Sequence, residues 1–128
     1  MKRSVTLLAL AVVVTGCGES ASADVTGGGA TARVVRHPQL RVGLTEWTIV
    51  TSRSQVPAGR IRLVVTNAGA TVHDLVVQDS SGTWETRDLR PGERTGLVVS
   101  APPDETLHLW CSMPGHRAQG MDTTVSTS

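Results

Sequence analysis

The chain has 128 residues, enough for one domain of ordinary size. Its formal charge of +1 rests on Lys2 and Arg3, and the remainder, with ten Arg, no Lys and eleven Asp and Glu, lacks the basic excess that nucleic-acid binding favours. Phe and Tyr are absent, so a core must be built from Val, Leu, Ile and Ala, with Trp47, Trp84 and Trp110 as the large fillers.

Met1-Lys2-Arg3 is a short basic start, and Val5 to Val14 is an apolar stretch too short to span a bilayer as a helix, which takes about 20 residues. Val14-Thr15-Gly16-Cys17 resembles the bacterial lipobox, in which small residues precede a cysteine that is lipidated and becomes the mature N-terminus. The expectation is a signal over 1–17, export, and a lipid on Cys17 that anchors the chain at the extracytoplasmic face of the cell membrane. The competing reading is ordinary signal cleavage near Ala21 to Ala23, with Cys17 discarded. Either way Cys111 is left without a disulfide partner, and an unpaired thiol in an exported protein calls for another use. Residues 18–33 are rich in Gly, Ser, Ala and Thr and read as a flexible tether. The folded domain is expected over 34–128.

From there the apolar pattern has period two. Val42 and Leu44 alternate, then Trp47 and Ile49 alternate in the opposite phase, which predicts a bulge or bend near Thr45-Glu46. Ile61, Leu63 and Val65 form one face after the turn signal Val56-Pro57-Ala58-Gly59. His73, Leu75 and Val77 form another. Trp84 to Leu89, Arg94 to Ser100 and Thr106 to Cys111 read as strands, separated by Ser80-Ser81-Gly82, Arg90-Pro91-Gly92 and Ala101-Pro102-Pro103-Asp104. Thr123 to Ser126 closes the set. With no sustained helical stripe, the prediction is an all-β, antiparallel sandwich or barrel.

The densest chemistry lies between Leu109 and Met121, where Cys111, His116 and Met121 follow the spacing Cys-x4-His-x4-Met. Thiolate, imidazole and thioether suit copper, and a trigonal set of one Cys and two His with a long axial Met describes a blue-copper electron-transfer site. The second imidazole must come from His37, His73 or His108. Cys111 is in phase with Leu107 and Leu109 and so points inward, whereas His108 has the opposite phase. His37 lies at the edge of the tether, and His73 is in phase with Leu75 and Val77. The predicted ligands are therefore His73, Cys111, His116 and Met121. Structural zinc also uses Cys and His but does not need a thioether. A binuclear copper centre would need a second cysteine in the loop, and a copper enzyme such as a nitrite reductase would need another domain.

Asn67-Ala68-Gly69, followed by His73-Asp74 and then the Cys111 to Met121 loop, resembles the cupredoxin family. Pro114-Gly115 before the histidine and Gly120 before the methionine look most like the auracyanin, rusticyanin and sulfocyanin loops. The resemblance runs from about Val42 to Val125. It implies a Greek-key β-sandwich holding one type 1 copper, with His73, Cys111 and His116 in the trigonal plane and Met121 axial. It implies that Asp74 ties the two ligand loops together from behind the ligands, with Asn67, Trp110, Pro114 and Gly115 as further supports. Many relatives have Asn or Ser at the position of Asp74, and they usually continue past Gly-Met into a longer apolar strand. The implied function is one-electron transfer, not enzymatic catalysis, with redox proteins of the respiratory chain as partners and the chain as a monomer. Met113, Pro114 and Gly115 would form an exposed apolar docking surface. The alternative is a module that buffers or delivers copper to an oxidase.

Overall fold

The computed structural model describes residues 36–128. The signal and Cys17 readings at 1–17 and the tether at 18–33 lie outside the described residues. Nine strands follow in chain order: β1 (Gln39–Thr45), β2 (Thr48–Thr51), β3 (Gln55–Val56), β4 (Gly59–Asn67), β5 (Val76–Asp79), β6 (Gly82–Glu85), β7 (Arg94–Ala101), β8 (Thr106–Trp110) and β9 (Asp122–Thr127). They form two sheets, ordered β2-β1-β4-β7 and β3-β9-β8-β5-β6. Of the sandwich or barrel expected from the period-two pattern, the sandwich is borne out.

The pattern works because each strand buries one row of aliphatic side chains. Leu40, Val42 and Leu44 of β1 lie beside Leu63, Val65 and Asn67 of β4, and Ile61 of β4 pairs with Val99 of β7. In the second sheet Leu109 pairs with Val77 and Leu107 with Val125. Burying a side chain of this size stabilises by about 1.5–3 kcal/mol, which compensates for the missing Phe and Tyr by number.

Four details depart from the sequence reading. β1 pairs with β4 in parallel, and β3 with β9 in parallel, so both sheets are mixed. Alternation reports which face a residue takes and is silent on strand direction. Of the bulge or bend expected near Thr45-Glu46, the bend holds, as a hairpin turn in which Thr45 pairs directly with Thr48 across Glu46 and Trp47, and there is no bulge. The strand expected from Trp84 to Leu89 ends at Glu85, because the Leu75 N–H bonds the Thr86 hydroxyl at 3.0 Å. Leu89 then makes one isolated bridge to His73. Finally, β9 runs six residues, longer than the four expected, and its hydrogen bonds reach both β8 and β3.

Leu63→Ala removes a fully buried side chain from the middle of β4. It is expected to lower the unfolding free energy by about 2–5 kcal/mol, read as a fall in the urea midpoint. Val50→Ala, at a side chain 57 % exposed on β2, is expected to change it by less than about 0.5 kcal/mol. Equal effects would contradict this placement of the core.

Candidate metal centre

Cys111 follows directly on β8 and keeps its inward phase, so it is fully buried at the end of the row Leu107, Leu109. His73 is also fully buried, held by two backbone hydrogen bonds with Leu89, at 3.1 and 2.8 Å. His116 arrives on the loop between β8 and β9 and is half-buried. The three donor atoms form a tight triangle. His73 Nδ1 lies 3.1 Å from His116 Nδ1, and Cys111 Sγ lies 3.8 Å from the first and 3.5 Å from the second. His108 is exposed on the outer face of β8 and His37 is exposed before β1. Among the described residues, His73, Cys111 and His116 are the group whose donor atoms converge.

The loop from Cys111 to Met121 is closed on itself. The Cys111 N–H donates to the Met121 carbonyl at 3.2 Å, and the Met121 N–H donates to the His116 carbonyl at 3.2 Å. Between them runs a single 3-10 turn over Arg117–Gln119. Met121 is fully buried and starts the return into β9. Gly120 makes the return possible. It sits at φ 126°, and a Cβ there would lie 2.8 Å from the Trp47 carbonyl oxygen. Pro114 and Gly115 are exposed in a turn closed by the His116 N–H on the Met113 carbonyl at 3.0 Å.

Asp74 accepts from the Ser112 N–H at 2.6 Å and from the Ser112 hydroxyl. The residue after His73 is thus bound to the residue after Cys111, so two donors are fixed relative to each other. Asn67 is fully buried and fully used: its amide donates to the Thr71 and Leu89 carbonyls at 2.7 and 2.8 Å and accepts from the Gly69 N–H at 2.9 Å. Trp110 faces away from the donors. Its ring lies under the Arg117 guanidinium, 4.5 Å from the centroid, and Arg117 in turn pairs with Asp122 at 2.6 Å. Met113 is half-buried against the core, not exposed as expected, because the closed loop folds its side chain inward.

Two contributors were not singled out in the sequence. Trp47 presents its ring to the His116 imidazole, edge to face, with centroids 4.8 Å apart. Glu46, also in the β1–β2 turn, takes His73 Nε2 at 2.9 Å, the Ala70 N–H at 2.9 Å, the Thr71 N–H at 2.9 Å and the Thr71 hydroxyl at 2.9 Å. The Thr71 and Ala70 amides, followed by the Thr71 hydroxyl, hold its carboxyl down at about 2, with His73 adding a smaller pull. The His73 Nε2–H donor leaves the Nδ1 lone pair facing the triangle, which is the tautomer a metal ligand needs. Gly69 gives the carboxylate room, since a Cβ there would sit 2.6 Å from Glu46 Oε1.

The donors fit one ion. With thiolate and imidazole bonds of about 2.3 and 2.0–2.1 Å, the three separations are short enough for one ion to reach all three donors. Two imidazoles, one thiolate and a buried thioether make a set that suits type 1 copper. Burial pushes the Cys111 thiol up, against the pull of the Asp74 and Met113 backbone amides. Binding at this site therefore releases the thiol proton.

No protein-family model matches the chain, and no curated protein matches it. Among solved structures it is similar to dithionite-reduced auracyanin from the photosynthetic bacterium Roseiflexus castenholzii, with a TM-score of 0.59 and 19% identity over 70% of this chain and 96% of that one. It is similar to auracyanin B, with a TM-score of 0.58 and 18% identity over 74% and 93% of the two chains. It is also similar to auracyanin A, described as a blue copper protein of the green thermophilic photosynthetic bacterium Chloroflexus aurantiacus, with a TM-score of 0.58 and 14% identity over 73% and 100%. At these identities the likeness establishes the fold, a cupredoxin-like sandwich.

Glu46→Ala is expected to speed amide exchange at Ala70 and Thr71, whose N–H groups lose their acceptor, while β7 amides keep their rates. Loss of a carboxylate behind a ligating imidazole is expected to weaken metal affinity by roughly 10–100-fold. Unchanged exchange at both amides would show that Glu46 does not hold this loop.

Proposed function

We propose that this chain is a one-electron carrier that holds one type 1 copper with His73, Cys111, His116 and Met121. On this reading it is exported, anchored by a lipid on Cys17 at the extracytoplasmic face of the cell membrane, and monomeric. Its partners would be redox proteins of the respiratory chain. The observation that carries the reading is the triangle of His73 Nδ1, His116 Nδ1 and Cys111 Sγ with Met121 buried beside it. The description of auracyanin A as a blue copper protein agrees with it.

When bound, copper supplies a one-electron couple, and the chain supplies a site that need not rearrange. His73 is fixed on both sides, by Leu89 through its backbone and by Glu46 through its ring. Cys111 is fixed by the fully buried row of β8, and its neighbour Ser112 by Asp74. His116 is the one donor that reaches towards solvent, on a loop whose surface includes Pro114, Gly115 and Ala118. An electron entering or leaving there would cross a short distance at a partner's surface. Three buried ligands and a closed loop favour retention of the metal over its delivery to another protein.

The test has two parts. Loaded with cupric ion, the protein is expected to be intensely blue from thiolate-to-copper charge transfer, and Cys111→Ser to remove the colour even if some copper still binds. Electron self-exchange is then expected to be fast, with slow copper loss to a moderate chelator in both oxidation states. An unchanged blue spectrum in Cys111→Ser would refute the centre. Slow self-exchange with ready loss of cuprous ion would refute the carrier and establish copper delivery.

A further inference from the structure

The near-neutral charge of the domain hides a strong segregation. None of the strands β1, β2, β4 and β7 contains an Asp or Glu, whereas β5, β6 and β9 of the other sheet each do. The outward positions of the four-stranded sheet carry Arg41, Arg60, Arg62 and Arg94, all exposed. Arg36 and Arg53 border the same face, sharing shallow depressions with Arg62 and with Arg41. Among the described residues, none of these six makes an ion pair; the Arg residues that do are Arg87 and Arg117.

The face is also low and broad. Gly43 and Gly96 occupy outward positions, and the Arg62 guanidinium lies along Gly96, its Nη2 3.4 Å from where a Cβ would stand. Arg94 is steadied by Thr66, which accepts from its Nε at 3.1 Å. On the two edge strands of the face stand Val50, opposite Gly43, and Val98, opposite Arg62, 57 % and 43 % exposed. Arg60 to Thr66 spans about 20 Å along β4, and four strands span about 14 Å across.

We infer that this arginine face docks on an anionic phospholipid surface. A broad sheet face with dispersed cations and two exposed valines suits the plane of a bilayer, where guanidinium groups meet lipid phosphates and small apolar side chains enter the interface. The chain enters the domain at this face, through Arg36, His37 and Pro38. The inference draws on the Cys17 anchor proposed above only for proximity. A tether of residues 18–33 would hold the domain roughly 20–24 Å from its anchor, so a weak attraction per arginine would suffice. Cys111, Met121 and the Pro114–Ala118 surface belong to the other sheet and the loops leaving it. Docking through the arginine face therefore leaves the electron-transfer loop open to a partner.

The full chain is added to vesicles of phosphatidylcholine alone or with phosphatidylglycerol, and each arginine is followed by its rate of modification with phenylglyoxal. Arg87 and Arg90, outside this face, serve as internal references. The expected result is several-fold slower modification of Arg41, Arg60, Arg62 and Arg94 on phosphatidylglycerol vesicles only, reversed by high salt. In Arg41→Gln/Arg62→Gln, loaded with copper to verify the fold by its spectrum, Arg60 and Arg94 are expected to lose that protection. Equal rates on both vesicles would overturn the inference, as would protection by soluble polyglutamate but not by vesicles, which would assign the face to an acidic protein. Intact mass of the same sample reports acylation at Cys17 separately. A face that is protected in an unacylated chain would reject the anchor and keep the docking surface.

Discussion

The Glu46 carboxylate receives Ala70, Thr71 and the His73 ring together, and the rest of the site depends on that convergence. The segment between β4 and His73 belongs to no strand, so no ladder of backbone bonds fixes it. It carries a ligand whose direction must nevertheless be set closely, because all three donor atoms lie within 4.8 Å of one another. An ionised carboxylate supplies what the sheet does not. It takes up the loop's amides and fixes the histidine tautomer, with the other ring nitrogen turned towards the metal position.

A second constraint acts from the other sheet. The row Leu107, Leu109, Cys111 gains its direction from burial, and a one-residue slip would turn the thiol to solvent. Asp74 and Ser112 then join this strand end to the loop that Glu46 holds. Asn67 works on the same loop from β4, and Trp47 faces the last donor, His116, from the β1–β2 turn. The centre is thus assembled from separate chain segments, held by burial, hydrogen bonds and ring packing together. Moving an electron, with no bond made to a substrate, is the kind of work that a site braced in this way performs well.

The parts of this arrangement that were legible in the sequence are those written in local spacing or strand phase. Cys-x4-His-x4-Met is a single loop, and the inward phases of Cys111 and His73 follow from their apolar neighbours. Glu46 was not legible, because it lies in a hairpin turn that the sequence showed only as a change of phase near Thr45, and it meets Ala70 and Thr71 in the loop after β4 only because β4 pairs with β1. Trp47 was read as core filler, since nothing local distinguishes a ring that packs on aliphatics from one that packs on an imidazole 69 positions away. Met113 was placed on the surface with Pro114 and Gly115, as the docking face that the resemblance implied, and it packs instead against the core. The parallel β1–β4 and β3–β9 pairings were hidden for a different reason: apolar alternation is the same for either strand direction.

The central claim is that His73, Cys111 and His116 bind one copper ion together. X-ray absorption at the copper edge of the loaded protein tests it most directly, since it counts the nearest ligand atoms by element. The account predicts two imidazole nitrogens and one short sulfur around a single copper, with the short sulfur lost in Cys111→Ser. A first shell of nitrogen and oxygen alone, or the same short sulfur persisting in Cys111→Ser, would contradict it.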